Sequence, residues 1–164
     1  MAIHTDIINE LKHEAANTVR ILNNVPEDKW DWKPHEKSFS LGRLACHIAE
    51  LPGWTNHILS GSSFDIVHDH FDRLAVTTKK ELLAAAEERA QQAVNALEKV
   101  KDGDLDSSWT FKRGGATVFE LPKKAAIRNM VLNHIIHHRG QLSVYLRLLD
   151  VSVPGMYGPS ADER

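Results

Sequence analysis

Apolar residues return at helical spacing in four long stretches of this chain. In the first, Ile7, Ile8, Leu11, Ala15, Val19 and Leu22 draw one apolar face over about residues 5–24, and Pro26 with the asparagines before it ends the pattern. Ser40 suits the N-cap of a second helix carrying Leu41, Leu44, Ala45, Ile48 and Leu51. Pro52 and Gly53 interrupt it, yet "WTNHIL" resumes the spacing, which predicts a kink or a restart. Thr78 and Glu81 form a capping-box pair ahead of Leu82, Leu83, Ala86, Ala90, Ala93, Val94 and Leu97, the third helix. Pro122 suits the first turn of a fourth that continues to about Leu149, with Gly140 a local weakness inside it.

The connections carry their own signals. "DWKPHEKSFS" contains Trp32 and Phe39 and follows Trp30, aromatic content that predicts an ordered segment packed on the helices. "SGSSFDIVHDHFDRLAVT" reads as a loop. "SSWTFKRGGATVFELP" places β-prone residues on both sides of Gly114 and Gly115, which predicts a short hairpin or an extended crossover before the last helix. The prolines and glycines of "VSVPGMYGPSADER" exclude further regular helix. The expected class is all-α, a four-helix bundle forming one domain over residues 1–164.

Composition narrows the function classes. No apolar run approaches the roughly 18 residues of a membrane span, and the N-terminus lacks the features of a signal peptide, so a cytoplasmic protein without a membrane partner is expected. A formal net charge of −2 without a basic cluster argues against nucleic acid. A lone cysteine, Cys46, excludes an intrachain disulfide and any multi-cysteine zinc site. Any bound metal must rely on histidines and carboxylates.

The chain holds ten histidines, three of them in "NHIIHHRGQ". On a regular helical wheel His134 and His138 fall within about 20° of Ile127, in the middle of the apolar face, while His137 lies roughly 80° away at its edge. Two imidazoles four residues apart can converge on one ion, as in zinc proteases. The general-base glutamate of those enzymes is missing, because Ile135 follows His134. Spacing alone also fits a polar surface pair or a hydrogen-bonded core pair. His47, within "LGRLACHIAEL", is the best third ligand; the alternative is a partly buried histidine bonded to a carbonyl.

Three segments, "SLGRLACHIAEL", "NHIIHHRGQLSVYLRLL" and "VPGMYGPSADE", together with the "VPEDKWDWKP" connection, make the chain resemble the DinB-like (damage-inducible) superfamily, which includes the YfiT-type proteins. The resemblance implies an up-down-down-up bundle with long crossovers and a divalent metal, usually zinc or nickel, held by three histidines. By position these are His47, His134 and His138. It further implies a thiol-dependent transferase or isomerase using a low-molecular-weight thiol such as bacillithiol or mycothiol, and homodimerisation is plausible in this family. A metal-dependent thiol S-transferase acting on small electrophiles is therefore the leading expectation. The alternatives are a noncatalytic bundle with a structural metal, serving as a stress-related binding module, and a histidine-rich domain without metal.

Around this set, Gln141 reads either as an orienting residue or as a helix-interface hydrogen bond. Glu50 reads as a solvated carboxylate rather than a partner of His47, and Arg139 as one half of an inter-helix salt bridge. Tyr157 either closes over the cleft or packs the tail, and Cys46 is expected to be a buried, inert thiol.

Overall fold

The computed structural model describes residues 3–163. Helix α1, Ile3–Leu22, buries Ile7, Ile8, Leu11, Ile21 and Leu22. Its inner face also takes in Glu14, Asn17 and Thr18, whereas Ala15 and Val19 are only half-buried. The connection after α1 is ordered, as its aromatics predict. The Leu41 and Gly42 N–H groups donate to the carbonyls of Trp32 and Trp30, both at 2.9 Å. Gly42 is required by the approach of Trp30, because a Cβ at this position would collide with the indole.

Helix α2, Leu41–Glu50, starts at Ser40, whose hydroxyl accepts from the Arg43 N–H at 3.2 Å. The chain restarts after Pro52 as expected: a 3-10 turn over Leu51–Gly53 leads into α3, Trp54–Ser60. Helix α4, Lys79–Leu97, begins at Thr78, whose Oγ1 accepts from the Glu81 N–H at 3.3 Å and donates to the Glu81 carboxylate at 2.7 Å. A short α5, Asp102–Leu105, follows. The last long helix comprises α6, Lys123–Ile127, a π-helical turn over Arg128–Leu132, and α7, Asn133–Leu148, which passes through Gly140 unbroken.

An all-α class does not hold. Ser63–Asp65 forms β1, which pairs in parallel with β2, Ser108–Arg113, and β2 pairs antiparallel with β3, Ala116–Pro122. The hairpin was legible; the third strand was not. A three-residue strand shows no period-2 alternation, and β1 exists because β2 offers a free edge. Gly114 and Gly115 close the hairpin with φ of 59° and 83°, both in the left-handed region. Asp65 at the end of β1 accepts from their two N–H groups at 2.8 and 2.6 Å and from that of Val67 at 3.0 Å. Burial acts to raise the Asp65 carboxyl, but these backbone donors outweigh it and hold it down at about 2.

Helices α1 and α2 each pack against α4 and α7. The core falls into two clusters. One joins the sheet to the helix ends through Leu51, Trp54, Phe64, Trp109 and Ile135; the other joins Ile21, Leu41, Ile48, Leu82 and Leu142. A buried ion pair between Glu14 of α1 and Arg139 of α7 links these two helices, and both residues are less than 5% exposed. Tyr157 from the C-terminal tail completes it, donating to Glu14 at 2.8 Å and accepting from Arg139 at 2.6 Å. This matches the expected inter-helix role of Arg139 and the tail-packing role of Tyr157. No helix among the described residues is long and apolar enough to cross a membrane.

Removing one partner of a buried pair strands the other charge, at a cost of about 3–5 kcal/mol. Arg139→Met should therefore lower the urea-unfolding free energy by that order. The Glu14→Leu/Arg139→Met double variant should recover most of the loss; a double variant no more stable than Arg139→Met would contradict this account.

Candidate metal centre

His47 stands on α2, three residues before Glu50, and His134 and His138 stand one turn apart on α7. Packing of α2 against α7 brings the three together. One ligand-type atom from each lies within 4.8 Å of the others, and the three side chains are half-buried. Ring centroids are separated by 5.2 Å for His47 and His134, 4.6 Å for His47 and His138, and 4.7 Å for His134 and His138. His137 is exposed and stays outside the cluster, as expected, though its ring lies 4.8 Å from that of His138.

Each imidazole directs Nδ1 at an acceptor. His47 meets Glu50 Oε1 at 2.8 Å, His134 meets the Met130 carbonyl at 3.3 Å, and His138 meets Gln141 Oε1 at 2.7 Å. A carboxylate and a carbonyl can only accept, so Nδ1 is the protonated nitrogen in each ring and Nε2 is the one not engaged by these partners. Nε2 is thus the nitrogen that each ring has left for the cluster. Such hydrogen bonds fix tautomer and ring orientation at metal sites generally.

The wheel placed His134 and His138 mid-face, and the structure moves both to the flank. The residues buried on α7 are Ile135, Arg139, Leu142 and Leu146. The cause is the π turn, in which the Asn133 N–H donates to the Arg128 carbonyl five residues back. One extra residue in a turn slips the helix phase by one position, so Ile135 and Arg139 occupy the places a regular helix would have given to His134 and His138. The signal was present as a second apolar phase, Ile135, Leu142 and Leu146, offset by one residue from the first.

Glu50 overturns its expected reading. The carboxylate is 1% exposed and bonded to His47, to Arg43 Nη2 at 2.7 Å and to the Leu74 N–H at 2.9 Å. Burial acts to raise its pKa, but these donors, His47 and Arg43 foremost, outweigh that and hold it below the ordinary glutamate value. Gln141 proves to be the orienting partner of His138. The Cys46 thiol is buried, directed at the Val76 carbonyl 3.6 Å away, and raised in pKa chiefly by burial, as befits an inert group.

Burial is also the main cause that lowers the pKa of His134 and brings His138 down to about 4, with neighbouring imidazoles adding to it. Both are therefore neutral near pH 7, the protonation state a metal ligand needs. Three half-buried imidazole donors form a set chemically suited to a divalent cation of the zinc type. A groove of about 420 Å³ lined by Phe119, Met130, Asn133, His134 and His137 adjoins His134.

Comparison with known proteins agrees with this architecture. The model of the DinB family matches residues 1–164, so the chain belongs to that family. An uncharacterised protein of Bacillus subtilis (strain 168), YrdA, is 25% identical over 154 residues, covering 92% of this chain and 85% of its own. The crystal structure of a DinB-like protein from Bacillus subtilis superimposes with a TM-score of 0.72 at 20% identity, over 94% of this chain and 99% of the other. A second, from Bacillus cereus ATCC 10987, gives 0.67 at 24% identity, over 89% and 92%.

The lowered pKa values set the sign of a pH effect on the metal-free protein. An unfolded chain takes up protons at these histidines near pH 6.5, whereas folded His138 refuses one until about pH 4. Stability from this residue is thus fully present above about pH 6.5 and is lost as pH falls from there towards 4. Urea midpoints measured in chelator should fall across this window, and the fall should be shallower in His138→Ala. Parallel curves for the two proteins would refute this assignment.

Proposed function

We propose that this member of the DinB family binds a divalent cation, zinc or nickel, through the Nε2 atoms of His47, His134 and His138, and that it acts as a metal-dependent thiol S-transferase on small electrophiles. The observation that carries this reading is the use of Nδ1: all three rings satisfy it on an acceptor, which leaves Nε2 free, and a ligand-type atom of each ring lies within 4.8 Å of the others. Bound there, a divalent cation would supply the Lewis acidity that makes a thiol nucleophilic near neutral pH.

The protein's part is to hold the donors. Glu50 keeps His47 in one tautomer, Gln141 does the same for His138, and the Met130 carbonyl does so for His134. Burial keeps His134 and His138 unprotonated when a cation arrives. Phe119, Met130 and Asn133 line a groove against His134 with room for a small substrate. A purely structural metal is less well supported, because structural zinc sites are usually closed by four protein ligands and this cluster offers three.

Protein purified without an affinity tag should contain about one equivalent of metal by elemental analysis, and His134→Ala/His138→Ala should contain none. Loaded protein should conjugate an aromatic chloride such as 1-chloro-2,4-dinitrobenzene to a low-molecular-weight thiol, and chelation should abolish the reaction. Metal loss that lowers thermal stability without any conjugation across a panel including bacillithiol and mycothiol would favour the structural reading. Absence of metal after reconstitution would remove both.

A further inference from the structure

Glu50 makes more contacts than the orientation of one histidine requires. Its Oε1 takes the His47 Nδ1–H at 2.8 Å and Arg43 Nη2 at 2.7 Å, while Oε2 takes the Leu74 N–H at 2.9 Å and Arg43 Nη1 at 3.4 Å. Arg43 lies on α2 one turn before His47, and its side chain is 30% exposed. Its guanidinium carbon sits 5.6 Å from the centre of the Phe39 ring. That ring in turn meets His47 edge-on at 5.9 Å. Phe39, Arg43, Glu50 and His47 thus close a ring of contacts around one imidazole, and the Leu74 N–H ties the 66–77 segment into it.

The chemistry of this ring is specific. A lone buried carboxylate would bond to His47 and also tend to draw its proton across; the guanidinium balances the negative charge and occupies two of the three remaining lone-pair sites in a forked geometry that lysine cannot reproduce. The Leu74 N–H fills what is left. The carboxylate is then held by three further donors against Nδ1, and rotation of the His47 ring about χ2 would break that bond and give up the edge contact with Phe39.

We infer that Arg43 and Glu50 are positioning residues for His47, holding its Nδ1–H tautomer and ring angle, and that through the Leu74 N–H they couple occupancy of the centre to the 66–77 segment. The inference rests, for its metal-dependent half, on the three-histidine reading. Neither residue touches the centre itself. Loss of either should weaken the cation without removing a ligand, since partners of this kind are worth about 10–100-fold in metal affinity.

Two measurements on the full chain test it, one of them independent of metal. Long-range proton–nitrogen NMR spectra of the imidazoles in metal-free protein should show His47 protonated at Nδ1 in the parent. In Glu50→Gln and Arg43→Met they should show a mixture of tautomers, with partial return to Nδ1–H in Arg43→Lys. Competition titration with Zn²⁺ and a chromophoric chelator should give dissociation constants raised by about 10–100-fold in Glu50→Gln and by a smaller factor in Arg43→Met. Amide exchange at Leu74 should slow on addition of Zn²⁺ to the parent and respond little in Arg43→Met.

An unchanged His47 tautomer in both variants would overturn the positioning role, whatever the metal does. Zn²⁺ affinities within twofold of the parent in folded variants would overturn it as well, as would Leu74 exchange that ignores Zn²⁺ for the coupling. A parent that binds no Zn²⁺ while its His47 tautomer still responds to Arg43→Met would sink the three-histidine reading and leave the tautomer role standing.

Discussion

A carboxylate withdrawn from water must collect hydrogen bonds from wherever the chain can deliver donors, and Glu50 collects them from three directions. His47 and Arg43 come from earlier turns of its own helix, three and seven residues back, and the Leu74 N–H comes from a segment 24 residues further on. Satisfying one buried charge therefore fixes the rotation of α2, the course of the 66–77 segment past it and the orientation of an imidazole. The same burial that makes Glu50 costly without its partners makes its hydrogen bonds strong with them, because little water competes.

A second buried charge sets the other wall. Arg139 reaches Glu14 of α1 from the inner face of α7. Neighbouring residues on a helix point about 100° apart, so with Arg139 directed at α1, His138 is turned away from α1 and faces α2, and His134 follows one turn earlier. The π turn over Arg128–Leu132 supplies the one-residue slip that makes this phase compatible with Ile127 and Val131 remaining in the core. In this way a local irregularity of the helix becomes the reason the histidines lie half-buried at an interface, reachable from solvent, instead of sealed in apolar surroundings.

The likeness to solved DinB-like structures, at 20% and 24% identity, establishes the fold and no more. A fold hosts many activities, and function has to be read from the site. Here the site speaks through its acceptors: a carboxylate, a backbone carbonyl and a side-chain amide each hold one Nδ1. A histidine-rich interaction surface would have no need to hold all three rings in the same tautomer. The sheet plays a separate part, since Phe119 of β3 helps to line the groove beside His134.

By itself the sequence determined the long helices, their caps at Ser40 and Thr78, the restart after Pro52, the glycine hairpin and the three histidines, because each is written in local spacing or local backbone chemistry. Tertiary structure alone decided the rest. Strand β1 needed the free edge of a strand 45 residues away, and the phase of α7 depended on a π turn that a regular wheel cannot contain. The burial of Glu50 was equally invisible: nothing in its own neighbourhood marks it as different from a solvated glutamate, and only the arrival of Leu74 and the shape of the α2–α7 interface remove it from water. Local periodicity encodes which face a residue occupies within its own element, whereas the partner that satisfies a buried polar group comes from elsewhere in the chain.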